Sequence, residues 1–386
     1  MNNKFQLGKI TTISVGHFFH DVYSAFLAPI LPLLIEKLGI SLSMAGLLDV
    51  IRKIPTLLNP LVGLMADKMS VKYFVILTPA ITAISMSLLG LAPSYGILFI
   101  LLFVAGISST LFHVPSPVLI KDFSGNKVGT GMSFFMFGGE LARTIGPLLI
   151  TGAISLWGLE GSYRVMPLGI IASIILFIKL KDIAPINRSI AKGELKGVKD
   201  TVREFIPFFA AISGFLLFRA GMKTALTLYL PIYLTGKGES LWIASVSLSI
   251  LQLAGAAGIF GVGNLADKIS HRNTLLLTAI LSPIVMVVFI SSSKIMMIPV
   301  LILMGVVLFA SGPVLLAIVQ ETNSKRPAFV NSIFMTISFG ISSLMVLVIG
   351  ILGDNFGLDL TFKICAGLAL LSVPFIFMLP KKGKMR

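Results

Sequence analysis

Eleven charged or titratable side chains lie inside otherwise apolar stretches of this chain, and their spacing groups them. Residues three or four apart share one face of a helix. His17, His20 and Asp21 stand in that relation, and Asp49, Arg52 and Lys53 repeat it. Glu140 and Arg143 are three apart, while Arg219 and Lys223 are four apart with no acid between them. His113 follows Phe112 in a third apolar stretch. Imidazole titrates near neutrality, so a histidine beside a carboxylate can take up and release a proton in a working pH range. His17, His20, Asp21, Asp49 and His113 are therefore the expected proton-coupling set. Two other readings of the histidines stay open. One is hydrogen bonding within a packed interior. The other is a divalent metal held by His17, His20, Asp21 and His113, since imidazole and carboxylate suit zinc or iron. No resident metal and no other cofactor is assigned.

Five of the eleven are basic and three are acidic. A guanidinium offers a planar fork that matches carboxylate, phosphate or phosphonate. Arg52, Lys53, Glu140, Arg143, Arg219 and Lys223 are thus expected to bind a small anionic or zwitterionic substrate. The alternative is mutual ion pairing, such as Asp49 with Arg52 and Glu140 with Arg143, which leaves no charge for a ligand.

The elements that position these groups must be membrane helices. Of 386 residues, 56% are hydrophobic and only 12% charged, against about 25% in soluble domains. Mean hydropathy is +0.98. A spanning helix needs about 20 mostly apolar residues. Twelve such stretches are predicted, near 9–35, 42–65, 72–92, 95–119, 128–156, 163–180, 205–234, 240–264, 273–292, 295–319, 328–352 and 360–380. The breaks carry turn residues, including Gly39-Ile40-Ser41, Gly236-Lys237-Gly238 and Gly353-Asp354-Asn355. At 1.5 Å per residue the embedded charges fall near mid-membrane. A charge there costs from about 3 to more than 10 kcal/mol, so it needs a partner or a water-filled cavity. Transporter folds bind their substrates at that depth.

The chain carries a net charge of +15. With twelve spans both termini share a side, and 21 Lys and Arg fall there against five on the other. That asymmetry predicts cytoplasmic termini in a cell membrane, the inner membrane of a bacterium. It also accounts for the basic excess without nucleic acid. The single cysteine, Cys365, excludes internal disulfides and is expected to serve packing. The polar stretch 181–204 reads as a cytoplasmic linker, with room for a short amphipathic surface helix, between six-helix bundles at 1–180 and 205–386. Gly63-Leu64-Met65-Ala66-Asp67-Lys68 and Gly263-Asn264-Leu265-Ala266-Asp267-Lys268 end the second and eighth spans, 200 residues apart. This internal repeat makes the halves pseudo-symmetric. Gly63, Asp67, Lys68, Gly263, Asp267 and Lys268 are read as gating residues. The carboxylates there can pair with the positive N-terminus of a neighbouring helix, and the glycines allow close helix approach.

Twelve spans, two halves and a Gly-x-x-x-Asp-Lys loop in each half resemble the major facilitator superfamily. In that family the loop pattern continues with glycine, where this chain has Ser70 and Ser270. Gly16-His17-Phe18-Phe19-His20-Asp21, Ala28-Pro29-Ile30-Leu31-Pro32 and Phe112-His113 are similar to fosmidomycin-resistance-type exporters. So is Met132-Ser133-Phe134-Phe135 leading to Gly138-Gly139 and Gly146-Pro147, a stretch that also resembles the fifth span of drug/proton antiporters. Departures are Pro115-Ser116 in place of Pro-Glu, and Glu140 and Arg143 inside the glycine stretch. The resemblance implies an all-α membrane transporter rather than an enzyme, an antiporter exporting its substrate against inward protons, working as a monomer. Rival readings are an importer or exchanger of organic anions or phosphate esters, a metal or metal-chelate exporter, and a non-transporting receptor or scaffold. No phosphate-binding glycine loop of the ATPase type occurs.

Overall fold

The computed structural model describes residues 5–59, 62, 72–182, 198–320, 322 and 327–379. Among these there are helices and turns and no strand. In lipid every backbone polar group must be satisfied within its own segment, which leaves the helix as the natural spanning element for an apolar chain of this kind.

The helices are α1 (Leu7–Ser24), α2 (Leu27–Leu38), α3 (Leu42–Lys53), α4 (Lys72–Ser87), α5 (Tyr95–His113), α6 (Ser116–Ser124), α7 (Val128–Gly161), α8 (Met166–Leu180), α9 (Val198–Thr224) and α10 (Leu230–Gly236). They continue with α11 (Leu241–Ile269), α12 (His271–Ser291), α13 (Lys294–Phe309), α14 (Ser311–Gln320), α15 (Pro327–Ala369) and α16 (Val373–Met378). Nine helical stretches among the described residues are long and apolar enough to cross a membrane. Two of these, Val128–Leu180 and Ile333–Met378, contain 53 and 46 residues. Each exceeds twice the roughly 20 residues of one crossing. Each is interrupted by a glycine outside the helical region, Gly158 at φ 73° and Gly357 at φ 74°. Only glycine takes that backbone without strain, so each stretch is two helices joined at a kink and is long enough for two crossings. The nine stretches are in this way consistent with the twelve spans expected.

Several boundaries differ from expectation. The chain stays helical through Gly353-Asp354-Asn355 and turns at Gly357. The loop expected after the eighth span is largely helix, since α11 runs to Ile269 and only Ser270 separates it from α12. Ser270 has φ 80°, the one non-glycine residue described with positive φ. Its hydroxyl caps α12 by accepting from the Asn273 amide at 3.4 Å. The expected linker, 181–204, is helical from Val198 onward, and its residues 183–197, with any surface helix, lie outside the described residues.

Two compact units divide the chain, and the division interleaves the sequence. The first takes residues up to Ile40, Leu47–Ile190 and Leu234–Ser249. Its core gathers Ile10, Ile13, Val75, Phe112, Ile120 and Leu176. Ser245 joins it through a 2.6 Å hydroxyl hydrogen bond with Thr151. The second unit takes Ser41–Gly46, Ala191–Tyr233 and Ile250–Arg386. Its core gathers Phe205, Ile212, Phe215, Leu275, Val314 and Ile376. The first turn of α3 belongs here: the Asp354 carboxylate accepts from the amides of Leu42 and Ser43 at 2.7 and 3.0 Å. An anion at a helix N-terminus satisfies its orphan amides and meets the positive end of the helix dipole. Ile174, Ile178, Ile284, Val287 and Phe377 are exposed on outer helix faces, as a lipid-facing surface requires.

Candidate functional site

α1 presents His17, His20 and Asp21 on one face, and all three are buried, with 3%, 0% and 4% exposure. Two helices of the same unit close over that face. α5 ends on Phe112 and His113, and α7 supplies Phe135, Gly139, Glu140 and Arg143. The approach of α7 depends on missing side chains. A Cβ at Gly138 would lie 2.5 Å from the Ser14 carbonyl oxygen, and one at Gly146 would lie 2.6 Å from that of Val22. A Cβ at Gly139 would meet Cε1 of the His17 ring at 2.6 Å. The Gly-Gly to Gly-Pro stretch is therefore a contact seam against α1, and His17 lies in it.

Asp21 is the hub of the cluster. Its Oδ1 is 2.9 Å from His20 Nδ1 and 3.1 Å from His113 Nε2. Its Oδ2 is 3.3 Å from His17 Nε2 and 3.9 Å from Arg143 Nη2. Arg143 turns its other amino group to Glu140, 2.6 Å away. His17 Nδ1 meets the Phe135 carbonyl at 2.7 Å. Phe135 stacks on the His17 ring with centroids 4.0 Å apart, and Phe112 on the His20 ring at 4.6 Å. With all histidines neutral, two carboxylates face one guanidinium, an excess of one negative charge. One ring nitrogen of His17, one of His113 and an Asp21 oxygen lie within 4.8 Å of one another, a spacing that would suit a divalent ion. The adjoining Arg143 already brings a positive charge to that carboxylate and disfavours a second cation. The side chains of His113 and Arg143 are 36% and 44% exposed, so the cluster reaches the accessible surface there.

Asp49 is not part of this cluster and makes its ion pairs on its own helix. Arg52 Nη2 and Lys53 Nζ stand 2.7 and 2.6 Å from its two oxygens. The expected proton-coupling set is thus divided. The two basic partners remain partly exposed, at 23% and 28% of the side chain, whereas Asp49 is buried. Asp49 and Glu140 are both ion-paired on their own helices, and their basic partners stay partly exposed.

Arg219 and Lys223 belong to the second unit. Arg219 is 5% exposed and donates to the Thr278 carbonyl at 2.9 Å and Ser282 Oγ at 3.0 Å, both on α12. Its guanidinium lies 5.5 Å from the Phe215 ring centroid, and its Nη2 has no hydrogen-bond partner. Lys223 Nζ lies 5.3 Å from the Phe309 centroid. Of the expected gating residues, Gly63, Asp67 and Lys68 lie outside the described residues, Gly263 and Asp267 belong to the backbone of α11, and Lys268 is exposed. Sequence reasoning overlooked the Phe135 carbonyl, which has no side-chain signature. It also overlooked Asp354, although an acid in a Gly-Asp-Asn break could have been read as a helix cap.

A sequence profile described as Major Facilitator Superfamily matches residues 13–346. The chain belongs to this superfamily. Among characterised relatives of this superfamily member, the fosmidomycin resistance protein of Escherichia coli (strain K12) is 26% identical over 383 residues, covering 98% of this chain and 94% of the relative. The Bacillus subtilis (strain 168) protein YfnC, an uncharacterised transporter of the same superfamily, is 24% identical, with 97% and 93% covered. Among solved structures, a bacterial homologue of the human lysosomal transporter Spinster superposes with a TM-score of 0.82 at 14% identity, with 97% of each chain covered. A D-xylose-proton symporter superposes at 0.74 with 16% identity, covering 99% of this chain and all of that one. These superfamily likenesses establish a multi-pass membrane transporter fold, and the family is one of transporters rather than enzymes.

Proposed function

We propose that the chain is a secondary active exporter that exchanges a small anionic or zwitterionic organic molecule for protons by alternating access, with both termini in the cytoplasm. The observation that carries the reading is the buried Asp21 carboxylate, contacted by three histidines and an arginine. A proton-coupled transporter needs a group that changes charge, and imidazole is the side chain whose ordinary titration range suits that role. Arg52, Lys53 and Arg143 keep partly exposed basic surface beside their acids, which suits an anionic ligand. The name of the Escherichia coli relative makes fosmidomycin, a phosphonate, the first probe.

The test is transport in proteoliposomes with an imposed pH gradient and labelled fosmidomycin, then a panel of organic anions and phosphate esters. The wild-type protein should drive the substrate uphill against proton flow. Asp21→Asn should reduce that gradient-driven transport to the level of empty liposomes while leaving exchange of labelled for unlabelled substrate. Normal gradient-driven accumulation by Asp21→Asn would remove the cluster from coupling. Transport of neutral sugars or cations alone would exclude the anion reading.

A further inference from the structure

We propose that the groove between α1 and α8 binds one anionic phospholipid, with an acyl chain lying along the groove and the phosphate at Lys179. The site lies wholly in the first unit and is independent of what the chain transports.

α1 has two working faces. Val15 and Phe19 lie about 200° round the helix from His17 and Asp21. They line a groove of about 480 Å³ whose floor is Gly16, Ala172 and Leu176, all buried. A Cβ at Gly16 would stand 3.0 Å from a Leu176 methyl, so the bare backbone there lets the two helices meet. Val15 and Ile175, 46% and 47% exposed, stand as walls on either side. The volume falls in the range of about 300–1,000 Å³ found for small-molecule sites.

Length, polarity and charge select the occupant. From Leu7 to Phe19 the groove follows α1 for about 18 Å at 1.5 Å per residue. One leaflet of the hydrocarbon core is about 15 Å deep, so a chain anchored at the surface fills the groove to the midplane. The polar side chains lining it are Thr11, Thr12 and Lys179. The Thr12 hydroxyl already donates to the Gly8 carbonyl at 2.7 Å. A water-soluble ligand would lose its hydration there and find too few partners, whereas a hydrocarbon chain needs none. Gly16 opposes Leu176, and the Gly169 amide donates to the Tyr23 hydroxyl at 2.9 Å, so α1 and α8 run antiparallel. Lys179, in the last turn of α8, therefore stands where α1 begins. Among the described residues no carboxylate pairs with it. Lys72 donates to the Lys181 carbonyl and brings a second ammonium group to the same helix end. Basic groups between membrane helices on the cytoplasmic side hold anionic headgroups, and the distribution of Lys and Arg predicts that Lys179 faces that side.

Two simpler accounts cover part of this. A lysine at a helix C-terminus meets the negative end of the dipole without any lipid, and every outer face of a membrane helix touches lipid. Neither calls for a concavity leading away from the charge. Gly8 keeps that concavity open beside Lys179. A Cβ there would meet nothing within 4 Å, so no packing contact requires glycine, although glycine weakens a helix relative to alanine. The same open space lets a larger side chain be built in as a plug.

The test is native mass spectrometry of the full-length protein in detergent, titrated with dioleoyl phosphatidylglycerol or dioleoyl phosphatidylcholine. The expected result is one tightly held phosphatidylglycerol per chain, with phosphatidylcholine bound about fivefold more weakly or worse. Lys179→Gln should weaken phosphatidylglycerol about fivefold, the contribution of one lysine near a membrane surface, and leave phosphatidylcholine unchanged. Gly8→Phe should remove the tight site for both lipids, and Val15→Trp, on the exposed wall, is the second plug should the first fail to fold. Lys121→Gln, at an exposed lysine of α6 outside the groove, should change nothing. Equal affinity of the wild type for the two lipids, or phosphatidylglycerol binding indifferent to Lys179→Gln, would overturn the anionic ligand. A tight site that survives both plugs would overturn the groove. Dimers that the plugs dissociate would give the groove to a second copy of the chain, and displacement of the lipid by fosmidomycin would give it to the substrate; either result overturns the proposal.

Discussion

Arg219 donates to a backbone carbonyl and a hydroxyl of α12, lies near the Phe215 ring, and leaves one amino group without a partner. No acid pairs with it among the described residues. A buried cation held only by neutral groups is unfavourable, and replacing buried charge with a hydrophobe of similar size is often neutral or stabilising by about 1–4 kcal/mol. Arg219→Met should therefore keep or raise Tm in a thermal scan of the purified protein. If Arg219 contacts the anion, the same variant should bind it roughly thirtyfold or more weakly, because a lost buried charge contact costs about 2–5 kcal/mol. A lower Tm with unchanged affinity would make the guanidinium a tie between α9 and α12 and nothing more. Individual residues were the least legible level in the sequence. The i, i+3, i+4 spacing gave one face for His17, His20 and Asp21, because that relation is local. The arrival of His113 and Arg143 at the same carboxylate is a tertiary fact that spacing along one helix cannot contain. The division of Asp49 from that group is invisible for the same reason.

At the scale of elements, Ser270 illustrates a local conflict that the structure resolves. It occupies the place where the family resemblance expects glycine, and it adopts the backbone a glycine would adopt, with φ 80°. The strain of that conformation is set against a hydroxyl cap on α12. Glycine caps only a few tenths of a kcal/mol less well than serine, while relief of a strained positive φ is worth about 1 kcal/mol or more. Ser270→Gly should therefore raise stability by up to about 1 kcal/mol, read as a rise in Tm with transport unchanged. A fall in Tm would show that the cap outweighs the strain. Helix existence was legible because twenty-residue apolar runs leave few alternatives in lipid. Helix ends were not, as the uninterrupted passage through Gly353-Asp354-Asn355 shows. There the Asp354 carboxylate is engaged by the amides of Leu42 and Ser43, more than three hundred residues away in sequence.

For the whole molecule, the 21-to-5 distribution of Lys and Arg predicts an orientation that can be checked directly. A reporter fused after Arg386, or inserted beside Gly193, should be protected from a membrane-impermeant label in intact cells. A cysteine placed beside Lys237 should react from outside. Labelling of the tail from outside would invert the topology and with it the proposed direction of proton flow. The all-helical membrane fold itself was legible. The interleaved membership of Ser41–Gly46 and Leu234–Ser249 was not, because it depends on which neighbours those short segments find after folding.

The two turns at positive φ have a consequence for ancestry. Trp157-Gly158-Leu159-Glu160 and Phe356-Gly357-Leu358-Asp359 share an aromatic, a left-handed glycine, a leucine and an acid. Each acid holds a lysine, Glu160 with Lys37 at 2.9 Å and Asp359 with Lys363 at 2.6 Å. The turns are 199 residues apart, against 200 for the Gly-x-x-x-Asp-Lys copies. A tandem duplication of one half, followed by a single-codon insertion or deletion, would leave such a pair of spacings. Within a helix such a change would rotate everything after it by about 100° and turn a lipid face inward. A change of that kind is tolerated in a connection, where no helix face depends on it.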